Sequence, residues 1–70
     1  MSDLDLHNVR HAEVEVLVEN HVLLTPPPYQ IITGNSTVMI DIVKKILEKH
    51  KMSYAIWAHN LGSISVLGEK

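Results

Sequence analysis

The sequence predicts an α/β fold in which a four-stranded sheet carries two helices on one face, in the chain order βαβαββ. Short apolar segments of alternating or β-branched residues are separated by two longer segments whose apolar residues recur with the helical period. Turn-forming residues divide these segments, most clearly prolines 26–28 and Gly34. Right-handed βα connections allow both helices to lie on the same face, which gives a two-layer sandwich with one open sheet face.

The first strand and the first helix are predicted from a change of period. Residues 3–7 alternate polar and apolar, so Leu4 and Leu6 should enter the core. Asp5 and His7 then share the opposite, wetter face. From about residue 11 to residue 24 the period lengthens to that of a helix. The predicted core stripe of this helix comprises Val14, Leu17, Val18, His21 and Val22.

The middle of the chain predicts a central strand followed by a second helix. The prolines end the first helix, and residues 29–33 form an apolar, β-branched strand that stops at Gly34. Because a central strand is often apolar on both sides, its facing is left open. Ser36 or Asn35 is the expected N-cap of the second helix. The core stripe of this helix comprises Met39, Val43, Ile46, Leu47 and His50, with Asp41, Lys44, Lys45 and Glu48 opposite.

The last part of the chain predicts two further strands, at residues 54–59 and 63–67, joined by a turn at residues 60–62. Alternation in the fourth strand points Ile64 and Val66 at the helices. In the third strand Ile56 is expected to point inward. The side chains expected on the open face, with Asp5 and His7, are Trp57, His59, Ser63 and Ser65.

Composition limits the class of protein. Seventy residues, 46% of them apolar, predict one folded domain over residues 1–70. The absence of cysteine excludes disulfides and thiolate metal sites and suits a reducing compartment. No apolar run approaches the roughly 20 residues that span a bilayer, so we expect a cytoplasmic protein that does not bind membranes. The net charge of −2 argues against a broadly basic nucleic-acid binder but allows a local basic edge.

Two loops carry polar residues where a strand meets a helix. A carboxylate two positions from an imidazole, as in Asp5 and His7, can orient the ring and stabilise its protonated form. The Gly34-Asn35-Ser36 loop offers main-chain N–H groups at a helix N-terminus, where anions bind readily. The alternative for both loops is structural, namely capping of ordinary turns.

Three segments resemble the motifs of the Smr (small MutS-related) domain family. Asp3-Leu4-Asp5-Leu6-His7-Asn8 resembles its Leu-Asp-Leu-His-Gly signature, and Ile31-Ile32-Thr33-Gly34 resembles its second motif, a strand that ends in a Thr-Gly loop. Gly62-Ser63-Ile64-Ser65-Val66 resembles the third motif, a glycine that leads into the final strand. The resemblance covers nearly the whole chain, with the motifs in order.

The resemblance implies a fold and a function. The fold resembles the C-terminal domain of bacterial translation initiation factor three, a mixed sheet in which the last strand is antiparallel and lies before the third. The function implied is nucleic-acid binding, often with endonuclease activity that nicks DNA or cleaves RNA. Asp5 and His7 match the catalytic motif positions. His7 would act as general base or acid, and Asp5 would fix its tautomer.

The sequence departs from the family motifs at two positions. The glycine of the family signature is Asn8 here, and the usual Gly-Lys-Gly loop is replaced by Gly34-Asn35-Ser36, which removes a lysine. Both changes leave a non-catalytic docking module for nucleic acid or protein as the alternative. The residues expected to contact nucleic acid are Asn8, Arg10, Thr33, Gly34, Asn35, Ser36, Trp57, His59 and Gly62.

Cofactors and partners are less constrained by the sequence. Arg10 could equally be a solvated surface residue, and Trp57 could pack rather than stack on a base. Cleavage of RNA through its 2′-OH needs no metal, and a divalent cation is left open as a cofactor. His7 and His11 do not form a helical zinc pair, because His7 precedes the helix. The expected partners are RNA or DNA, with a larger protein or a second copy of the chain as further options.

Overall fold

The computed structural model describes residues 3–56 and 62–69 and confirms the βαβαββ order. Residues 57–61, which include Trp57 and His59 of the predicted third strand and the first two residues of the predicted turn, lie outside the described residues. The elements are β1 (Leu4–Asp5), α1 (His11–Leu24), β2 (Tyr29–Ile32), α2 (Thr37–Lys49), β3 (Met52–Ala55) and β4 (Ser63–Glu69). None of the helices in these ranges has the length and apolar character required to cross a bilayer.

The four strands form one mixed sheet in the order β1-β2-β4-β3. β1 is parallel to β2, whereas β4 is antiparallel to both of its neighbours. This is the topology that the sequence resemblance implies. Since β4 runs opposite to β2, its first residue, Ser63, lies beside the last residue of β2, Ile32.

The core lies between the two helices and one face of the sheet. Burial in β2 alternates, with Tyr29 and Ile31 buried and Gln30 and Ile32 exposed, which settles the facing that the sequence leaves open. The other face of the sheet is open. The buried apolar side chains are Leu6, Val14, Val18, Tyr29, Ile31, Met39, Val43, Ile46, Leu47, Met52, Ile64 and Val66.

Both helices begin and end close to the predicted residues. Ser36, one of two expected N-caps, caps α2, and its Oγ accepts a hydrogen bond of 3.2 Å from the Met39 N–H. The core stripe of α2 is confirmed, with His50 half-buried at its end. The stripe of α1 is partly wrong, because Leu17 is 38% exposed. It lies about 100° around the helix from Val18, outside the arc that meets the sheet.

The short strands differ most from the predictions. β1 is limited to Leu4–Asp5, and His7 already lies in the following turn. β3 begins two residues earlier than predicted, because Lys51 turns the chain at φ 57° directly after α2. Ile56, expected in the core, is exposed just beyond β3.

β4 is longer than predicted and continues to Glu69. Ile64 and Val66 are buried as expected. Ser63 pairs with Ile32 on the open side of the sheet, yet it is buried rather than exposed. Alternation gives the direction of a side chain but not the neighbours that cover it, and the large Ile32 side chain is the direct cross-strand neighbour of Ser63.

Candidate functional site

Three segments that are distant in sequence meet at one edge of the sheet. The Leu6 N–H, just after β1, donates a hydrogen bond of 2.8 Å to the Ile32 carbonyl at the end of β2. Ser63, the first residue of β4, pairs with Ile32 from the other side. The ends of β1 and β2 and the start of β4 therefore lie side by side. We call this edge, with residues 5–10, 33–38 and 62, the rim.

The Gly62 carbonyl binds the second loop to the third. It accepts hydrogen bonds from the Thr33 N–H at 2.8 Å, the Gly34 N–H at 3.0 Å and the Thr33 hydroxyl at 3.3 Å. The Thr33 side chain is buried, and its hydroxyl also lies 3.0 Å from the Gly34 carbonyl oxygen. The predicted contacts Thr33 and Gly62 are thus brought together, but Thr33 shapes the loop rather than presenting its side chain.

The predicted anion site at the start of α2 is smaller than the sequence suggests. Gly34 turns the chain at φ 67°, a conformation that glycine adopts without strain, but its N–H is already bonded to Gly62. The Met39 N–H is bonded to Ser36. The N–H groups of Thr37 and Val38, in the first turn of α2, have no hydrogen-bond partner in residues 3–56 and 62–69. They are the donors that an anion would meet there.

The predicted pairing of Asp5 with the His7 imidazole is absent. Asp5 Oδ1 instead accepts a hydrogen bond of 2.9 Å from the His7 main-chain N–H, two residues on. This contact forms an Asx turn, the structural alternative that the sequence leaves open. Both side chains are exposed, and the ring of His7 has no hydrogen-bond partner within the described part of the chain. The ring is free to meet a ligand, but Asp5 does not orient it.

The first loop closes through a residue in the left-handed region. Asn8 has φ 65°, and the Val9 N–H donates a hydrogen bond of 3.0 Å to the Leu6 carbonyl. Asparagine tolerates this conformation better than other non-glycine residues. The turn that a glycine would make is therefore kept. Arg10 follows as the exposed N-cap residue of α1, without a capping hydrogen bond from its side chain.

Three grooves on the surface of residues 3–56 and 62–69 lie outside the rim. They have volumes of about 370, 470 and 520 Å³, and the second is lined by Tyr29 and Gln30 of β2 and by Val66 of β4, away from the rim ends of these strands. Among the described residues, no three His, Asp or Glu side chains are grouped as a metal site would require.

Sequence reasoning identified the loops and the main-chain N–H groups at the start of α2, but it missed the Gly62 carbonyl that joins the second loop to the third. This carbonyl belongs to the backbone, and a side-chain motif carries no direct signal for it. The strand order reveals it, because β4 sets Gly62 beside Thr33.

Comparison with known proteins adds no relative. No protein-family model, no curated protein and no solved structure matches this chain. The Smr resemblance therefore stands on the three sequence motifs.

Proposed function

We propose that this chain is an Smr-like domain that binds RNA or DNA through the rim. The observation that carries the proposal is the convergence of the three motif segments at one edge of the sheet, joined through the Gly62 carbonyl. Successive motifs are separated by 22 and 27 residues of sequence, and the fold brings their loops to a common surface.

The chemistry of the rim supports contact with a phosphate backbone. Arg10 offers an exposed guanidinium, and the free N–H groups of Thr37 and Val38 can donate to a phosphate oxygen at the helix N-terminus. Asn8 and Asn35 are exposed amides that can bond to sugar or base edges. Because these groups would contact the nucleic acid only at the rim, such binding is compatible with a net charge of −2 for the whole chain.

Within this proposal, His7 is the residue that cleaves the strand. Its exposed ring can take a proton from the 2′-OH of RNA or from a water molecule, and can return a proton to the leaving oxygen. The hydrogen bond that the His7 main-chain N–H donates to Asp5 holds the His7 backbone in place, so Asp5 positions the residue and does not fix the tautomer of its ring.

The second candidate function is a docking module without catalysis. The observation that favours it is the engagement of Asp5 with the main chain, which leaves the imidazole without an orienting carboxylate. Such a module would bind nucleic acid, or a larger protein, with the same rim.

The test combines cleavage and binding with matched variants. Labelled single-stranded RNA and supercoiled DNA are incubated with wild type, His7→Ala and Lys45→Ala, the last being an exposed residue of α2 outside the rim. Cleavage by wild type and by Lys45→Ala, with a loss on the order of 100-fold or more in His7→Ala, supports the nuclease. Circular dichroism checks that each variant is folded.

Binding is measured separately so that the two functions are distinguished. Arg10→Ala should weaken binding and reduce the slope of log affinity against log salt by about 1, whereas Lys45→Ala should not. Binding without cleavage identifies the docking module. Absence of both binding and cleavage in the folded wild type contradicts the proposal.

A further inference from the structure

Helix α1 has a second apolar face that no part of the described fold covers. Val16, Leu17, Leu23 and Leu24 are 60%, 38%, 68% and 81% exposed, respectively. Val16 and Leu23 lie on the side of the helix opposite the buried Val14 and Val18, and Leu17 and Leu24 lie on the flank between these two sides. Asn20 lies between them and is also exposed. We call these five residues, 16, 17, 20, 23 and 24, the outer stripe.

The outer stripe is symmetric about Asn20. Val16 and Leu23 are seven residues apart on one border of the stripe, and Leu17 and Leu24 are seven residues apart on the other. A spacing of seven is the repeat with which two helices pack side by side. If two copies of α1 pair antiparallel across a two-fold axis at Asn20, Val16 lies beside the partner's Leu23, and Leu17 lies beside the partner's Leu24. A two-fold interface requires this kind of self-complementary surface.

We propose that the chain forms a homodimer through the outer stripe of α1. The shape of the surface supports a second copy as the occupant. A groove of about 370 Å³ is lined by Ala12, Glu13, Val16 and Leu17. The two most exposed leucines, Leu23 and Leu24, project at the other end of the same stripe. In the antiparallel pair, the projecting end of one helix meets the groove of the other.

The charges of α1 also permit self-pairing. The helix carries Glu13, Glu15 and Glu19 but no lysine or arginine, so a parallel pair would set glutamates against each other. In the antiparallel pair, Glu13 lies beyond the last residue of the partner's helix. Glu19 borders the stripe beside Leu23, and its carboxylate is held at 3.1 Å by Lys49 of the same chain. The Asn20 side chains meet at the axis, where their amides can hydrogen-bond to each other and fix the register.

The size of the stripe predicts a weak dimer with two separate rims. Four exposed apolar side chains cover on the order of a few hundred Å² per chain, so the total is below the roughly 1,000 Å² that a stable interface buries. α1 begins at the rim, so an antiparallel pair sets the two rims at opposite ends. The dimer interface leaves the rim open, and it does not depend on nucleic-acid binding.

The test is the mass of the chain in solution without nucleic acid. Sedimentation equilibrium from about 10 μM to 1 mM should show the average mass rising from 7.9 kDa toward twice that value, as expected for a dissociation constant in this range. Leu17→Glu and Leu24→Lys should each remain monomeric, because each sets a charge against an apolar partner. Mixed in equal amounts, they should form a heterodimer, since the carboxylate of one variant then lies beside the ammonium of the other.

A matched control distinguishes dimerisation through the outer stripe from nonspecific association of exposed apolar residues. Leu67→Glu removes an exposed leucine of β4, outside the stripe, and should dimerise like wild type. Urea unfolding checks that every variant remains folded. Wild type that stays monomeric at 1 mM overturns the proposal, as does a dimer that Leu67→Glu dissociates and Leu24→Lys does not.

Discussion

At the scale of single residues, backbone conformation explains a departure that looks functional in the sequence. The Smr signature has glycine where this chain has Asn8, which by sequence alone raises doubt about the loop. The structure shows φ 65° at Asn8, close to the 67° of Gly34. Asparagine preserves the turn because its short polar side chain tolerates the left-handed region. Sequence could identify the position but not the conformation that makes the replacement tolerable.

The free energy of unfolding of Asn8 variants tests this explanation. Asn8→Val should lower the free energy of unfolding by about 1–2 kcal/mol, because a β-branched residue is strained at positive φ. Asn8→Gly should be neutral within about 0.5 kcal/mol or slightly stabilising. Asn35→Val, in the exposed loop before α2 where φ is not positive, should also stay within about 0.5 kcal/mol. Urea midpoints measure all three, and equal losses for the two valine variants would contradict the role of Asn8.

At the scale of elements, the predictions succeeded where a local signal is strong. The bounds of α1 and the Ser36 cap followed from periodicity and from a known capping residue. β3 was misplaced because residues 52 and 53, Met and Ser, carry little strand propensity. Their strand is formed by pairing with β4, a long-range contact that a local pattern does not contain.

The contact between α2 and β3 predicts a dependence of stability on pH. The Tyr54 hydroxyl donates a hydrogen bond of 2.6 Å to Glu48, and this bond, with burial and the negative charge of Glu48, raises the pKa of Tyr54 from 10.0 to about 12. The unfolded chain then releases this proton near pH 10 and the folded chain near pH 12. The contribution of Tyr54 to stability is thus complete below pH 10 and lost between pH 10 and 12.

Urea unfolding of wild type and Tyr54→Phe over pH 9 to 12 measures this contribution. The wild type should lose stability more steeply than the variant in this interval, while the loss from Tyr29, whose pKa is raised by burial, is common to both. Absorbance of tyrosinate should show that Glu48→Gln lowers the pKa of Tyr54 toward 10.0. Identical pH profiles for wild type and Tyr54→Phe would show that the contact is not maintained in solution.

At the scale of the whole molecule, the topology was predictable and the surfaces were only partly so. Element order and the motif resemblance led to the mixed sheet and to the rim. The Gly62 carbonyl contact depends on strand order, and the Asp5 contact depends on the length of β1. The outer stripe of α1 is not predicted from the sequence, because Leu17 fits the pattern of the buried face almost as well as that of the exposed face. In a helix with apolar residues on most sides, the period of the apolar residues does not distinguish the buried face from the exposed face.

Two leucines with opposite environments test how this small core holds the rim together. Leu6 is fully buried directly after β1, whereas Leu24 is 81% exposed at the end of α1. Leu6→Ala should lower the free energy of unfolding by about 2–5 kcal/mol, because it leaves a cavity in the core. Stability of a domain this size is about 5 kcal/mol, and there is no disulfide to compensate, so this variant should be partly unfolded. Leu24→Ala makes the same chemical change at the surface and should cost less than about 0.5 kcal/mol at low protein concentration, where the chain is monomeric. Urea unfolding followed by circular dichroism measures both. Similar losses at the two positions would mean that Leu6 does not anchor β1, and the rim would then lack the support that aligns its first loop with the other two.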